Sequence, residues 1–357
     1  SVKGILIGTG MRIKGIQGRK PRGQARPAWM NGRLAALAAC CAACLAAGAA
    51  TPLSRPAPGE VQEDVTRLET LAAGTPIERK TTGWLFGRPS AGSPAEQQAL
   101  ARRMEAAQSP GHAARAYNAL VRRWPYAPEA APAQQRLAEL TDARGKYQKA
   151  FAEFRYLLHF YPGQVAPETI LKRLFAIANH YRGEGREHIA LPMFLQIAEL
   201  APQWQGTPQA LLLAGLLQAA DRKWDEAIVT FERITANHPG TAEAETAAAQ
   251  AAHARYRLAR RYPEDEAVQT RALASFAATL RDYPGHADRG SLQDEMADLT
   301  ARRYNHHFEA ARFYDTPRFN KETAVAAYEE FLRRFPSAPQ ADDVRRRLGE
   351  LEGAGKE

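Results

Sequence analysis

The apolar positions of this chain recur on a long period that is marked by prolines. Six apolar runs of helical character end at a proline, with an alanine twelve positions earlier and an aromatic residue eight positions earlier. The prolines are Pro125, Pro162, Pro202, Pro239, Pro284 and Pro336. The alanines are Ala113, Ala150, Ala190, Ala227, Ala272 and Ala324, and the aromatic residues are Tyr117, Phe154, Phe194, Phe231, Phe276 and Tyr328. Offsets of four and eight residues return to one face of an α-helix. The alanine and the aromatic residue of each run are therefore predicted to lie in the packed interface with a neighbouring helix.

The same spacing predicts pairs of antiparallel helices. A small residue lets two helices approach closely, and the aromatic residue fills the gap toward the next pair. Proline then ends the helix, because it lacks an N–H group and restricts the residue before it. A partner helix precedes each proline-ended helix, and Gly145 and Gly185 stand where a short turn needs a residue tolerant of positive φ. We therefore expect an all-α fold.

The repeated small, aromatic and proline positions resemble those of the tetratricopeptide repeat over residues 93 to 336. The resemblance implies a helical-hairpin solenoid, wound as a right-handed superhelix with a concave, partner-binding face. We expect about six units, with longer helices at 244–262 and 289–313. A polar capping helix is predicted at 338–351, so that the solenoid domain covers 93–352.

Charge is concentrated at the start of the chain. The net charge is +9, but residues 1–50 carry eight basic side chains and no acidic one, so the remainder is close to neutral. A nearly neutral domain does not steer toward phosphate backbones, and we expect no nucleic acid as a partner.

Residues 1–50 read as a basic leader with a bacterial export signal. The apolar run 34–50 follows the basic stretch, ends in small residues and is too short for a confident membrane span. Leu37-Ala38-Ala39-Cys40 matches a lipobox, Cys44 is a poorer second candidate for lipidation, and Ala47-Gly48-Ala49 could be an ordinary cleavage site. The two outcomes are an outer-membrane lipoprotein facing the periplasm and a soluble periplasmic protein.

Residues 51–92 are predicted to form a tether, because prolines and glycines interrupt any regular pattern there. Their one apolar cluster is Trp84, Leu85 and Phe86, which we expect to dock on the folded body.

The C-terminal repeats narrow the family further. The runs 272–284, 308–314 and 324–336 resemble the C-terminal half of BamD, the lipoprotein subunit of the outer-membrane β-barrel assembly machine. The resemblance implies that the N-terminal units bind unfolded outer-membrane proteins and that the C-terminal units bind the β-barrel assembly subunit. A soluble adaptor for cell-envelope division or export is the alternative, and an accessory domain of an enzyme complex is a third.

Motifs of catalysis are missing from the sequence. The nine histidines form no His-Glu-x-x-His zinc pattern, and there is no phosphate-binding loop of the Gly-x-x-x-x-Gly-Lys type. The chain has no Gly-x-Ser-x-Gly motif, and all three cysteines lie in the leader, which excludes a cysteine nucleophile in the body. We expect no enzyme, no cofactor and no metal site, but a protein-binding scaffold.

Overall fold

The computed structural model describes residues 77–82 and 87–353, and the regular structure of this part is entirely helical. Thirteen α-helices follow one another there without a strand, which confirms the all-α fold class. They are α1 (Pro94–Ala106), α2 (Pro110–Arg123), α3 (Ala130–Ala143), α4 (Tyr147–Phe160), α5 (Pro167–Gly183), α6 (Glu187–Leu200), α7 (Thr207–Ala220), α8 (Trp224–Asn237), α9 (Ala242–Arg261), α10 (Glu266–Asp282), α11 (Arg289–Tyr314), α12 (Lys321–Arg334) and α13 (Ala341–Gly353). One 3₁₀ turn, Pro162–Gln164, lies between α4 and α5.

The helices pair into six hairpins, which we number units 1 to 6 from α1–α2 to α11–α12. Within each unit the two helices pack against each other, and the second helix of one unit packs against the first helix of the next. Helix α9 also contacts both α7 and α11, so that first helices lie beside first helices. This is the arrangement of a helical solenoid.

The proline-marked period ends the second helix of every unit in the same way. The residue before each proline leaves the helical region, as at Trp124 (φ −128°, ψ 61°) and Phe335 (φ −133°, ψ 61°), while its N–H still bonds the carbonyl four residues back. Proline, which has no N–H to donate, cannot extend the helix further.

The turns inside the first four hairpins each contain a left-handed residue. Gly145 (φ +69°) and Gly185 (φ +71°) fill this position in units 2 and 3, as the sequence predicts. Units 1 and 4 use Gln108 (φ +51°) and Arg222 (φ +59°) instead. A side chain in this region costs roughly 1–2 kcal/mol, so these two turns are held by the helices that they join.

The apolar core is divided along the solenoid. One cluster runs from α1 to the middle of α9, a second joins α9, α10 and α11, and a third joins α11, α12 and α13. Unit 5 contacts unit 6 through the packing of α9 and α10 against α11 and also through polar side chains. Arg334 Nη2 lies 2.5 Å from a carboxylate oxygen of Glu266, and His307 lies 3.4 Å from the other oxygen of that carboxylate.

The long helices and the terminal helix lie close to their predicted positions. Helix α13 begins at Ala341, three residues later than predicted, because the N–H groups of Ala338 and Ala341 close turns on Phe335 and on Ala338. It buries Val344. Its Arg347 forms a bidentate ion pair with Asp315, with Nε 2.7 Å from Oδ2 and Nη2 3.0 Å from Oδ1.

Candidate protein-binding surfaces

The twelve repeat-defining residues lie inside the hairpins. Each of the alanines and aromatic residues at offsets twelve and eight is buried, with at most 4% of its surface exposed. The two helices approach closely in unit 4, where Gly215 of α7 lies under the ring of Phe231 of α8. A Cβ placed on Gly215 would stand 2.4 Å from the Phe231 Cε1 atom. These positions therefore build the solenoid and leave the outer faces of the helices to contact other molecules.

A groove lies between the first helices of units 2 and 3, and we call it the α3–α5 groove. Its volume is about 540 Å³. One stripe of α3 and one stripe of α5 form its walls, at the spacing of a single helix face, and Phe154 of α4 lies at its base. The wall residues are Gln135, Glu139, Asp142, Ala143, Ala166, Thr169, Ile170, Lys172, Arg173 and Ala176.

Apolar and charged groups are arranged differently in the groove. Phe154 and Ile170 are buried but reach its lining, whereas Ala143 and Ala176 are exposed and leave room above them. Arg173 spans the walls, with its Nε 2.6 Å from Asp142 Oδ2 and its Nη2 2.7 Å from Asp142 Oδ1. This hydrogen bonding raises the pKa of the Arg173 guanidinium. The result is an apolar base between polar rims, which suits an extended peptide.

Part of the predicted tether lies on the solenoid. Residues 77–82 contact α2, α3 and α4, and Arg122 Nη1 donates a hydrogen bond to the Thr81 carbonyl at 2.7 Å. The sequence missed these contacts and predicted docking through Trp84, Leu85 and Phe86, which lie outside the described residues.

The remaining sequence predictions fall partly outside this region. Cys40, Cys44 and the whole leader lie outside the described residues. The adjacent histidines contact different carboxylates, His306 with Glu264 at 3.2 Å and His307 with Glu266. Over residues 77–82 and 87–353, no three potential ligands among His, Cys, Asp and Glu are grouped as a metal would need, and no helix is long and apolar enough to span a bilayer.

A comparison with protein families decides which repeat this is. Residues 209–241, which contain most of α7 and all of α8, match a tetratricopeptide repeat family. The chain therefore contains a tetratricopeptide repeat in unit 4. The five other hairpins share the alanine, aromatic and proline positions of the matched one. Tetratricopeptide solenoids are protein-interaction scaffolds, whose partners bind to the surface that the stacked repeats form.

Several solved structures resemble this chain at low identity. MamA is 14% identical with a TM-score of 0.27, over 54% of this chain and 92% of MamA. A tetratricopeptide repeat protein from Parabacteroides merdae is 15% identical with a TM-score of 0.25, over 72% of this chain and 98% of that protein. YrrB, described as having an unusual peptide-binding site, is 17% identical with a TM-score of 0.28, over 57% of this chain and 92% of YrrB. Superpositions at these TM-scores carry no argument about partners. A search of curated protein sequences gives no significant match.

Proposed function

We propose that this tetratricopeptide protein is a non-catalytic scaffold that binds an extended peptide segment of a partner in the α3–α5 groove. The observation that carries the proposal is the groove itself, with Phe154 at its base and exposed alanines on its walls. Its volume of about 540 Å³ lies within the range of roughly 300–1,000 Å³ that is typical of ligand clefts.

The groove favours side chains of alternating character. An extended peptide directs successive side chains to opposite sides, so that every second one can point at the apolar base. The polar rims, which include Glu139 and the Asp142–Arg173 ion pair, can bond the peptide backbone and the side chains that point outward. Unfolded β-barrel strands have this alternation of apolar and polar residues. They are the ligand class that we propose.

A bulky charge placed in the groove tests this binding. We expect Ala176→Arg to weaken binding of a urea-unfolded β-barrel protein, diluted into buffer and followed by fluorescence anisotropy, by about tenfold or more. Ala236→Arg places the same side chain on the exposed surface of α8 and serves as the matched control, with unchanged binding expected. Equal affinities of the two variants would exclude the groove as the binding site.

We further propose that the scaffold is a cell-envelope lipoprotein of the BamD type, anchored through Cys40 or alternatively Cys44, with its solenoid facing the periplasm. The lipobox pattern and the resemblance of the C-terminal repeats support this proposal. Its partners are then β-barrel precursors and the β-barrel assembly subunit. The alternative, a soluble periplasmic adaptor for division or export, is favoured by the second cleavage pattern at Ala47-Gly48-Ala49.

The mature N-terminus separates these two possibilities. The full-length gene is expressed in a Gram-negative host, and intact-mass spectrometry compares wild type with Cys40→Ala and Cys44→Ala. A triacylated cysteine that is lost in one variant supports the anchored scaffold, and co-purification of the barrel-assembly subunit supports the BamD type. An unmodified N-terminus near Ala50 in all three proteins would refute the anchor and leave the soluble adaptor.

A further inference from the structure

The first two repeat units bury a glutamine where the next two bury a leucine. Gln97 and Gln134 stand 37 residues apart, and Leu174 and Leu211 continue the same register at the spacing of the repeat prolines. All four side chains are buried, with the two glutamines at 1% and 0% exposure. Burying an amide is costly unless its hydrogen bonds are made, so a polar residue at this position needs partners that a leucine does not.

The chain that precedes α1 supplies donors to both amide oxygens, while the amide nitrogens donate to the backbone carbonyls of Ala116 and Glu153 within the repeats. The N–H groups of Ser90 and Ala91 donate to Gln97 Oε1 at 3.0 and 3.1 Å. One unit further on, Lys80 Nζ donates to Gln134 Oε1 at 3.0 Å. The N-terminal segment thus reaches units 1 and 2 at the same repeat position. Among units 1 to 4, the two with leucine at this position receive no such contact from the described part of the segment.

Lys80 enters a site that is built for a cation. Its ammonium group forms an ion pair with Glu153 and lies 4.6 Å from the ring centroid of Tyr156. Glu153 is only 7% exposed and also accepts a hydrogen bond from Gln134 Nε2 at 2.8 Å. Burial lowers the pKa of Lys80, and the Glu153 carboxylate opposes that shift. An ionised carboxylate is strongly unfavourable in the interior without a cation beside it, and Lys80 is the cation that accompanies Glu153.

Arg79 occupies a second compartment beside the first. Its guanidinium carbon lies 4.6 Å from the ring centroid of Tyr126 and 4.5 Å from that of Phe160. Tyr126 is 81% exposed, so its ring contributes little to the core of the solenoid. Two aromatic rings on one guanidinium make a cation–π contact of the kind that proteins use to recognise cationic ligands.

We propose that Tyr126, Gln134, Glu153, Tyr156 and Phe160 form a binding site for an extended peptide with adjacent arginine and lysine side chains. We call it the dibasic site. Residues 77–82 are its built-in ligand, and a basic segment of a partner protein displaces them. The dibasic site lies on α3, α4 and the loop between α2 and α3, and none of its residues lines the α3–α5 groove, so it adds a second ligand to the scaffold.

The way in which the segment is held supports exchange. Residues 77–82 have no secondary structure of their own, and their described contacts are hydrogen bonds, an ion pair and cation–π contacts, with Ile77 as the one apolar residue packed on the core. Such contacts can be remade by another peptide with the same two side chains. The tethered copy competes at an effective concentration on the order of millimolar, and an incoming peptide must overcome this.

The first test empties the site without altering it. The full chain with Arg79→Ala/Lys80→Ala is titrated with a fluorescent peptide that has the sequence of residues 77–82, and the binding is followed by anisotropy. We expect this variant to bind the peptide at least about tenfold more tightly than wild type, whose site is already filled. A peptide with alanine in place of both basic residues is the ligand control.

Two added substitutions locate the binding. Glu153→Gln removes the charge but keeps the shape, and Tyr126→Ala removes one ring from an exposed position where folding does not depend on it. We expect each, combined with Arg79→Ala/Lys80→Ala, to weaken peptide binding by about tenfold. Equal binding by wild type and the emptied variant, or no loss in either triple variant, would overturn the proposal.

Trypsin provides a second reading on the full chain. The Lys80–Thr81 bond is a trypsin site that docking protects, so we expect cleavage about tenfold faster in Glu153→Gln than in wild type. The alanine-substituted peptide should leave cleavage of wild type unchanged, and a millimolar concentration of the basic peptide, in its uncleavable N-methylated form, should accelerate it. Fast cleavage in wild type would refute docking. If the basic peptide never increased the cleavage of wild type, displacement of residues 77–82 would be refuted, and the segment would be a permanent part of the folded structure.

Discussion

Gly215→Ala is the sharpest single test of how the hairpins pack. An alanine in the middle of a helix is normally more favourable than glycine by about 1 kcal/mol. In unit 4, however, the added Cβ would lie 2.4, 2.8 and 2.9 Å from three ring atoms of Phe231. That ring is fully buried, so it can move only by displacing the side chains packed around it. Overpacking of this kind costs about 1–3 kcal/mol, and the severity of the overlap places it at the upper end. We expect a net loss of about 2 kcal/mol.

Hydrogen exchange measured by mass spectrometry follows this loss locally, because the repeats of a solenoid need not unfold together. Peptides from α7 and α8 should lose protection in Gly215→Ala. Gly349→Ala is the matched control, since no atom lies within 4 Å of its added Cβ and α13 should gain about 0.5–1 kcal/mol. If α7 in Gly215→Ala were as protected as in wild type, the close contact between Gly215 and Phe231 would be wrong.

Two further predictions concern the divided core and its C-terminal end. Phe276→Ala should cost about 3–5 kcal/mol and reduce exchange protection in α9, α10 and α11, with α1 to α4 unchanged because their cluster is separate; a uniform loss along the chain would contradict this. Hydrogen bonds from Arg347 and Tyr328 lower the pKa of Asp315. A carboxylate whose pKa is lower in the folded state than in the unfolded state stabilises the fold at pH values above its unfolded-state pKa. That stabilisation is lost as the pH falls through the folded-state pKa, so α13 should lose protection below about pH 4. Asp315→Asn should lose it already at pH 7, and a pH profile like that of wild type would refute the role of this carboxylate.

The packed interface between the helices could be predicted because the residues that form it are close together in the sequence. Ala150 and Phe154 lie four residues apart on one helix, and the same pair recurs six times with a proline at a fixed distance. Local spacing of this kind needs no knowledge of distant contacts. The turns were less predictable. Glycine indicates a left-handed residue at Gly145, but Gln108 and Arg222 take up the same conformation with nothing in their identity to reveal it.

The docked segment could not be predicted in the same way. The contact between Lys80 and Glu153 spans 73 residues, and no periodic pattern connects the two positions. Proline and glycine in the surrounding stretch indicate only that regular structure is interrupted. One signal was available, because the repeat register places Gln97 and Gln134 where units 3 and 4 have leucine. A polar residue at an apolar repeat position indicates that something outside the repeat covers it.

The division of the apolar core has a consequence for how the array bends. Units 1 to 4 share one continuous apolar cluster, whereas the apolar contacts of units 5 and 6 are divided between two smaller clusters that both end in α11. Ion pairs join neighbouring units at every joint, among them Arg173 with Asp142 and Arg334 with Glu266, so charge does not distinguish one joint from another. The packed apolar side chains do distinguish them, because a break in a cluster leaves fewer side chains that must shift together when the array bends. The elastic compliance of the array should therefore be greatest near α11 and least across units 1 to 4.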